Sequence, residues 1–219
     1  MCFSATASFL TAGVTCAVGI ATLTKTDNVR ELPLAATALF FSAQQAVEGW
    51  LWLTLPVDPA GATSLTLTRV FLILALMFWP VFAPVAALLI EPAKARRRIM
   101  QLCLLIGVAV AAYFASALSG GLHRAVIEGG HIVYHTGTSA PVPVGGLYLL
   151  ATSAAFLASS HRAVSLLGAI VFVGSITAYL FYWEAFVSVW CFFAAASSVV
   201  ILGHFIHLHA VRQPRVANS

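Results

Sequence analysis

Residues 32–55 read LPLAATALFFSAQQAVEGWLWLTL, an apolar run that contains a single carboxyl group, that of Glu48. A helix of roughly 20 apolar residues crosses a hydrocarbon core about 30 Å thick, so this run predicts a transmembrane helix. A charge at membrane depth is costly unless it is paired or hydrated. The apolar run 64–90 carries a second such residue, Arg69. Both residues indicate a polar site inside an apolar helical protein.

The composition of the whole chain predicts the same class of protein. Hydrophobic residues fill 61% of the 219 positions and charged residues only 8%, too few to solvate a globule of this size. The alternating polarity typical of membrane barrels is absent. We predict an all-α fold, a polytopic membrane helix bundle of about seven transmembrane helices with a short extracytoplasmic β-hairpin. The prediction has one domain, 1–210, with spans 4–24, 33–55, 64–90, 99–119, 141–160, 162–182 and 185–208, a hairpin at 122–136 and a cytoplasmic tail at 211–219.

Basic residues fall in alternate predicted loops. The first, third and fifth loops and the tail are basic, whereas Arg124 is the one basic residue in the other predicted loops. Because cytoplasmic loops are enriched in Lys and Arg, we expect the N-terminus outside and the C-terminus in the cytoplasm. These loops explain the net charge of +4, so the expected partner is the lipid bilayer and not a nucleic acid. The basic residues in question are Lys25, Arg30, Lys94, Arg96, Arg97, Arg98, Arg162, Arg212 and Arg215.

One face of the second predicted helix is polar. Gln44, Gln45, Glu48 and Trp52 recur at helical spacing, so they form one stripe. Such a stripe should face the bundle interior and not lipid. A small polar solute is the ligand that it would hold. The predicted ligand-binding residues are Gln44, Gln45 and Trp52, together with Trp183 and Glu184 from the turn before the last span.

Glu48 and Arg69 are the predicted catalytic residues. The short segment 56–63 makes the second and third helices antiparallel neighbours, and both charges then lie about 10 Å below the outer surface. Glu48 would act as a base or ligand and Arg69 as an anion clamp. The alternative is an ion pair that only locks two helices together.

Cysteine and histidine side chains near the same face suggest a metal site. Cys2 begins the first helix, and Cys191 lies near the outer end of the last. In the hairpin LHRAVIEGGHIVYHT, His131 and His135 follow the turn glycines. Thiolate and imidazole are ligands for transition metals such as zinc or copper. The alternative is that the cysteines are packing residues and the histidines ordinary polar residues of a loop.

Several segments together resemble a known family. The chain is similar to a family of uncharacterised prokaryotic multi-pass integral membrane proteins, a domain of unknown function. The resemblance implies a multi-helix membrane bundle in the plasma (inner) membrane of a prokaryote, and it implies no activity. It rests on the opening MCFSATASF, on QQAVEG at 44–49 with Trp52, on FWP at 78–80 through EP at 91–92, and on AFVSVWCFF at 185–193.

Three functions are compatible with this sequence. The first is a metal-binding membrane enzyme with a polar pocket near the extracytoplasmic face. The second is a small-solute or proton-coupled transporter or binding protein. The third is a structural membrane subunit without a catalytic site. The motifs of phosphate-binding loops, HExxH metalloenzymes, GxSxG hydrolases and dinucleotide-binding folds are all absent from the sequence.

Overall fold

The computed structural model describes residues 4–121, 123–136, 141–181, 195 and 197–216. The described chain is mainly helical, with one small antiparallel sheet. The helices are α1 (Ala5–Leu23), α2 (Leu32–Thr54), α3 (Ala62–Ile90), α4 (Lys94–Ser119), α5 (Val142–Leu157), α6 (Arg162–Phe181) and α7 (Ser198–Val216), and the strands are β1 (Arg124–Glu128) and β2 (His131–His135).

Four of the described helices, α1, α3, α4 and α6, are long and apolar enough to cross a membrane. The helices α5 and α7 are shorter apolar helices, and the polar stripe of α2 excludes it from the group of four. These four helices do not by themselves establish the predicted bundle of seven transmembrane helices. The predicted seventh span, 185–208, differs most, because α7 extends to Val216, into the predicted tail, and the first half of that span lies outside the described residues.

Helices α1 and α2 pack closely along their length. A Cβ atom on Gly19 would overlap the side chain of Leu39, and one on Gly49 would overlap the ring of Phe9. The hydroxyl of Ser42 donates a hydrogen bond of 2.7 Å to the Ala12 carbonyl of α1. Small residues allow this approach of two backbones, which is a common way for helices to associate in apolar surroundings. The pairing holds α2 in the interior of the bundle.

Helix α3 departs from regular α-helical geometry. Its segment Ile73–Phe78 is π-helical, and Pro80 and Pro84 follow in the next two turns. Because a proline has no N–H, Pro84 cannot donate to the carbonyl of Pro80. That carbonyl lies against Gly107 of α4, where any Cβ atom would overlap it. Helices α3 and α4 therefore meet through their backbones.

The predicted β-hairpin is confirmed. Strands β1 and β2 pair in antiparallel register from Arg124↔His135 to Glu128↔His131. Gly129 and Gly130 have positive φ values of 56° and 78°, as a two-residue turn between strands requires. The ring of Tyr134 stacks on Phe71 of α3 at 4.5 Å between centroids. This contact fixes the hairpin over the first half of α3.

The bundle has two polar ends, which we name by their loops. The hairpin end comprises the hairpin and the loop 55–61. The basic end comprises the loops 24–31, 91–93 and 158–161 and the second half of α7. Contacts between Glu31 and Arg212, and between Glu91 and Ser160, join the parts of the basic end to one another. Loops that sequence analysis assigns to one membrane face thus lie together in space.

Candidate functional site: a buried polar stripe on α2

Three polar side chains of α2 are buried in the bundle. The exposed fractions of Gln44, Gln45 and Glu48 are 0%, 1% and 0%. The spacing i, i+1 and i+4 brings these side chains to one side of a helix. The amide of Gln45 donates to Oε2 of Glu48 at 3.4 Å. We call these three residues the α2 stripe.

Helix α3 contributes a hydrogen-bond donor to the α2 stripe. Nε1 of Trp79 donates to Oε1 of Gln44 at 2.6 Å. The indole of Trp79 also stacks on Phe41 of α2, with 3.9 Å between the ring centroids. Stacking and hydrogen bonding together fix the amide orientation of Gln44, because a buried indole N–H requires an acceptor. The stripe is therefore ordered by its neighbours and not only by its own helix.

Two π-helical segments face this region. The segment Ile73–Phe78 belongs to α3, and Leu150–Ala154 belongs to α5. The Tyr148 hydroxyl of α5 donates to the Ala75 carbonyl inside the α3 segment at 2.6 Å. Wide helical turns leave backbone carbonyls open to other donors, and they recur at functional sites. The interior around the stripe thus combines side-chain amides, a carboxyl group and irregular backbone.

A small cavity lies beside Trp79 on the side away from the hairpin. Its volume is about 20 Å³, and Thr37, Trp79, Thr152 and Val171 are among its lining residues. A space of this size holds about one water molecule when polar partners are present. The hydroxyls of Thr37 and Thr152 are bonded to carbonyls of their own helices. The wall of the cavity is apolar, so the cavity does not extend the polar stripe of α2.

Trp52 continues the α2 stripe toward the hairpin end. The side chain is half-buried, and its Nε1 atom is buried with no hydrogen-bond partner in the described part of the chain. A buried indole N–H without an acceptor is unfavourable. This donor is consistent with its predicted ligand-binding role. Trp183 and Glu184, predicted for the same site, lie outside the described residues.

The structure does not bring Arg69 to Glu48. Arg69 is exposed, and none of the ion pairs between described residues includes it. The inward position at this level of α3 belongs to Thr68, which is buried. Adjacent residues of a helix point about 100° apart, so only one of the two can face α2. Between described residues, no ion pair joins Arg69 to Glu48, and the catalytic roles of the two residues stay predictions.

The predicted metal site receives no support from the described residues. Among them, no three His, Cys, Asp or Glu side chains are close enough to hold a metal ion. His131 and His135 alternate with Ile132 and Tyr134, so they belong to the strand face opposite the Phe71 contact. The imidazole of His135 lies 3.6 Å from the Glu128 carboxylate instead. Burial lowers the pKa of His131.

Cys2 and Cys191, the other predicted metal ligands, lie outside the described residues. The described thiols are those of Cys16 and Cys103, which are free. The metal site thus stays a prediction for its cysteines, and its histidines are not gathered into a site by the described chain.

A second buried carboxyl group, at the basic end, escaped sequence analysis. Glu91 is 2% exposed and accepts hydrogen bonds from both the backbone N–H and the hydroxyl of Ser160, from the Ser159 hydroxyl and from the Ala93 N–H. Burial by itself would raise the pKa of Glu91, but these hydrogen bonds and the nearby His161 lower it below its ordinary value. Four donors thus hold the carboxylate in its charged form.

Arginines complete the network around Glu91. Arg96 donates to the carbonyls of Ala158 and Ser159 at 3.2 and 2.7 Å. Arg97 donates to the carbonyls of Leu88 and Glu91 at 3.0 and 3.2 Å. These bonds satisfy the open carbonyls at the ends of α3 and α5. The network ties three helix ends together and is structural in character.

The last helix is attached to the same end by ion pairs. The guanidinium of Arg212 contacts both carboxylate oxygens of Glu31, at 3.1 and 2.5 Å. Asp27 lies 3.7 Å from both Arg212 and His209. The hydrogen bond with Glu31 raises the pKa of Arg212. A two-pronged contact of this kind fixes α7 against the start of α2.

The fold and the site together define the class of protein: a mainly helical protein with four helices that are long and apolar enough to cross a membrane, and a buried stripe of one acid and two amides. The chain belongs to a family of unknown function, DUF6629, whose model matches residues 1–217. The match confirms that the chain is a member of an uncharacterised family. No curated protein and no solved structure matches the chain.

Proposed function

We propose that the protein is an integral membrane protein in which the α2 stripe binds a small polar solute and Glu48 exchanges a proton with it. The observation that carries the proposal is the complete burial of Glu48 beside two buried amides. A carboxyl group in apolar surroundings must be neutral, paired or bound to a ligand, since an isolated charge there is too costly. Gain and loss of a proton is the chemistry that such a group performs most directly.

The surroundings of Glu48 favour a binding or relay site over a metal-dependent enzyme. Gln44 and Gln45 supply amide groups, which donate and accept hydrogen bonds but bind transition metals poorly. Nε1 of Trp52, which has no hydrogen-bond partner in the part of the chain that the structure describes, supplies one further donor toward the hairpin end. Polar groups of this kind recognise a small hydrogen-bonding solute.

We further propose a membrane arrangement for this site. The chain would cross the plasma membrane of a prokaryote seven times, with the hairpin outside and the basic end in the cytoplasm, as the distribution of Lys and Arg favours. The substitutions Glu128→Cys and Arg98→Cys, each made in a chain whose four natural cysteines are replaced by serine, test it in intact cells. A membrane-impermeant maleimide should label the position at 128 and spare the position at 98. The reverse pattern would overturn the orientation.

Infrared spectroscopy tests the proton exchange. The purified protein in lipid nanodiscs should show a protonated-carboxyl stretching band that titrates with pH, and Glu48→Gln should remove it. Glu91→Gln is the matched control, because Glu91 is equally buried but is held charged by four donors. A band that survives in Glu48→Gln, or that vanishes only in Glu91→Gln, would contradict the proposal.

A further inference from the structure

A second cavity lies at the basic end, between the start of α6 and the middle of α7. Its volume is about 490 Å³, within the range of small-molecule sites. It lies at the opposite end of the bundle from Trp52 and the hairpin. The cavity is lined by Ser160, His161, Arg162, Ala163, Val200, Gly203, His204, His207 and Leu208.

The polar residues that line this cavity are mainly of the arginine and histidine types. Arg162 and three histidines are among them, and the rings of His161 and His204 lie 5.3 Å apart. A ring nitrogen of His161 lies 3.2 Å from the Ile90 carbonyl, which orients that ring. The Ser160 N–H and hydroxyl are directed to Glu91 and help to fix the rim.

Acids near this cavity are already bonded to other groups. Glu91 accepts four hydrogen bonds, Glu31 pairs with Arg212, and Asp27 pairs with Arg212 and His209. In the described chain, Arg162 takes part in no ion pair. An exposed arginine that lines a cavity and has no carboxylate partner among the described residues favours an anionic ligand.

The lining also changes from basic to apolar along the helices. Val200 lies two turns of α7 before His207, on the side toward the bundle interior. A ligand with a phosphate group at one end and an apolar part at the other matches this order. Basic pockets between helices at the cytoplasmic face are known to suit anionic lipid headgroups.

We propose that the cavity between α6 and α7 binds a phosphate group through Arg162 and its neighbouring imidazoles. The phosphodiester of an anionic lipid headgroup and free inorganic phosphate are the two sources of this chemistry. The apolar lining favours the lipid. The site is independent of the Glu48 proposal, because the two share no residue.

Calorimetric titration of the purified full chain in a neutral detergent tests the proposal. The probes are dihexanoyl phosphatidylglycerol, dihexanoyl phosphatidylcholine and sodium phosphate. Arg162→Gln should weaken phosphatidylglycerol binding about fivefold, the equivalent of one basic residue at a lipid surface. Arg98→Gln is the matched control, since Arg98 is an exposed arginine of the same end that does not line the cavity.

The three probes separate the outcomes. Arg162-dependent binding of phosphatidylglycerol supports the lipid source, and Arg162-dependent binding of sodium phosphate alone supports the free anion. Equal weakening by Arg162→Gln and Arg98→Gln would show general charge attraction and overturn the site. So would equal binding of both lipids with no effect of Arg162→Gln, or no binding of any probe.

Discussion

Glu48 and Glu91 are both almost completely buried, yet their surroundings differ. Glu91 lies in a loop and accepts four hydrogen bonds from donors on two chain segments. Glu48 lies within a helix, where the backbone N–H groups of that helix are already used. The side chain of Gln45 donates one hydrogen bond to it. Flexible loop donors adapt to a carboxylate, whereas a helix must recruit side chains from elsewhere.

Under the proposed function, this difference separates an acid that stabilises the fold, Glu91, from an acid that exchanges a proton, Glu48. A carboxylate that is saturated by fixed donors keeps one charge state and stabilises the fold. Substitutions at the two sites should therefore affect different properties: stability at the basic end and proton exchange at the α2 stripe.

The largest expected effect is the loss of stability when Glu91 is replaced. Glu91→Ala leaves the donors of Ser159 and Ser160 without their buried acceptor, and the free energy of unfolding should fall by about 3 kcal/mol. Mixed-micelle SDS titration followed by circular dichroism measures it. Glu128→Ala is the control, because its ion pair with His135 is exposed and should change stability by less than about 0.5 kcal/mol. An equal loss of stability in Glu91→Ala and Glu128→Ala would show that Glu91 stabilises the fold no more than an exposed acid does.

The next largest expected effect is the loss of stability when Trp79, which donates a hydrogen bond to Gln44, is replaced. Trp79→Phe retains an aromatic ring against Phe41 but removes the donor to Gln44. Trp52→Phe deletes the same atoms where the indole N–H has no described partner. The same titration should therefore find Trp79→Phe less stable than Trp52→Phe by about 1.5 kcal/mol. If the two variants are equally stable, the Gln44 hydrogen bond does not order the stripe.

Glu48→Gln should lower the free energy of unfolding less than Glu91→Ala or Trp79→Phe does. Glutamine has nearly the shape of glutamate and still offers an oxygen to Gln45, so the loss should stay below about 1 kcal/mol. The proton-exchange signal should nevertheless disappear. Unfolding as severe as that of Glu91→Ala would instead make Glu48 a structural acid and contradict the comparison.

The smallest expected effect is the loss, at acid pH, of the stability that Glu91 contributes. Because the pKa of Glu91 is lowered in the folded chain, its stabilising contribution is present above the ordinary value of 4.5 and is lost as the pH falls through the folded pKa. The stability difference between the natural chain and Glu91→Gln should therefore shrink as the pH falls below about 4.5. SDS titrations between pH 7 and pH 3 measure this. A difference that stays constant with pH would show that Glu91 is not held charged.

Sequence patterns predicted what depends on local periodicity. The joint burial of Gln44, Gln45 and Glu48 follows from helical spacing, and the hairpin follows from two adjacent glycines between β-prone segments. The position of Arg69 could not be obtained in the same way. Loop length gives the depth of a residue, but packing decides which of two adjacent residues faces inward.

The network of Glu91 shows a second limit of sequence reasoning. Its donors come from Ala93, which is local, and from Ser159 and Ser160, which are far along the chain. A glutamate before a proline and a serine pair before a histidine are visible in the sequence, yet no spacing rule joins them. Only the packing of α3, α4 and α5 brings these loops together.

The backbone contact between α3 and α4 limits which substitutions this chain can accept in evolution. Pro84 leaves the carbonyl of Pro80 without its helical donor, and Gly107 leaves the space that this carbonyl occupies. Gly107 cannot gain a Cβ atom without overlapping this carbonyl, and a residue with an N–H at position 84 would restore the helical donor to it. We expect relatives of this chain to retain or replace residues 84 and 107 together, so that two distant codons behave as one heritable unit.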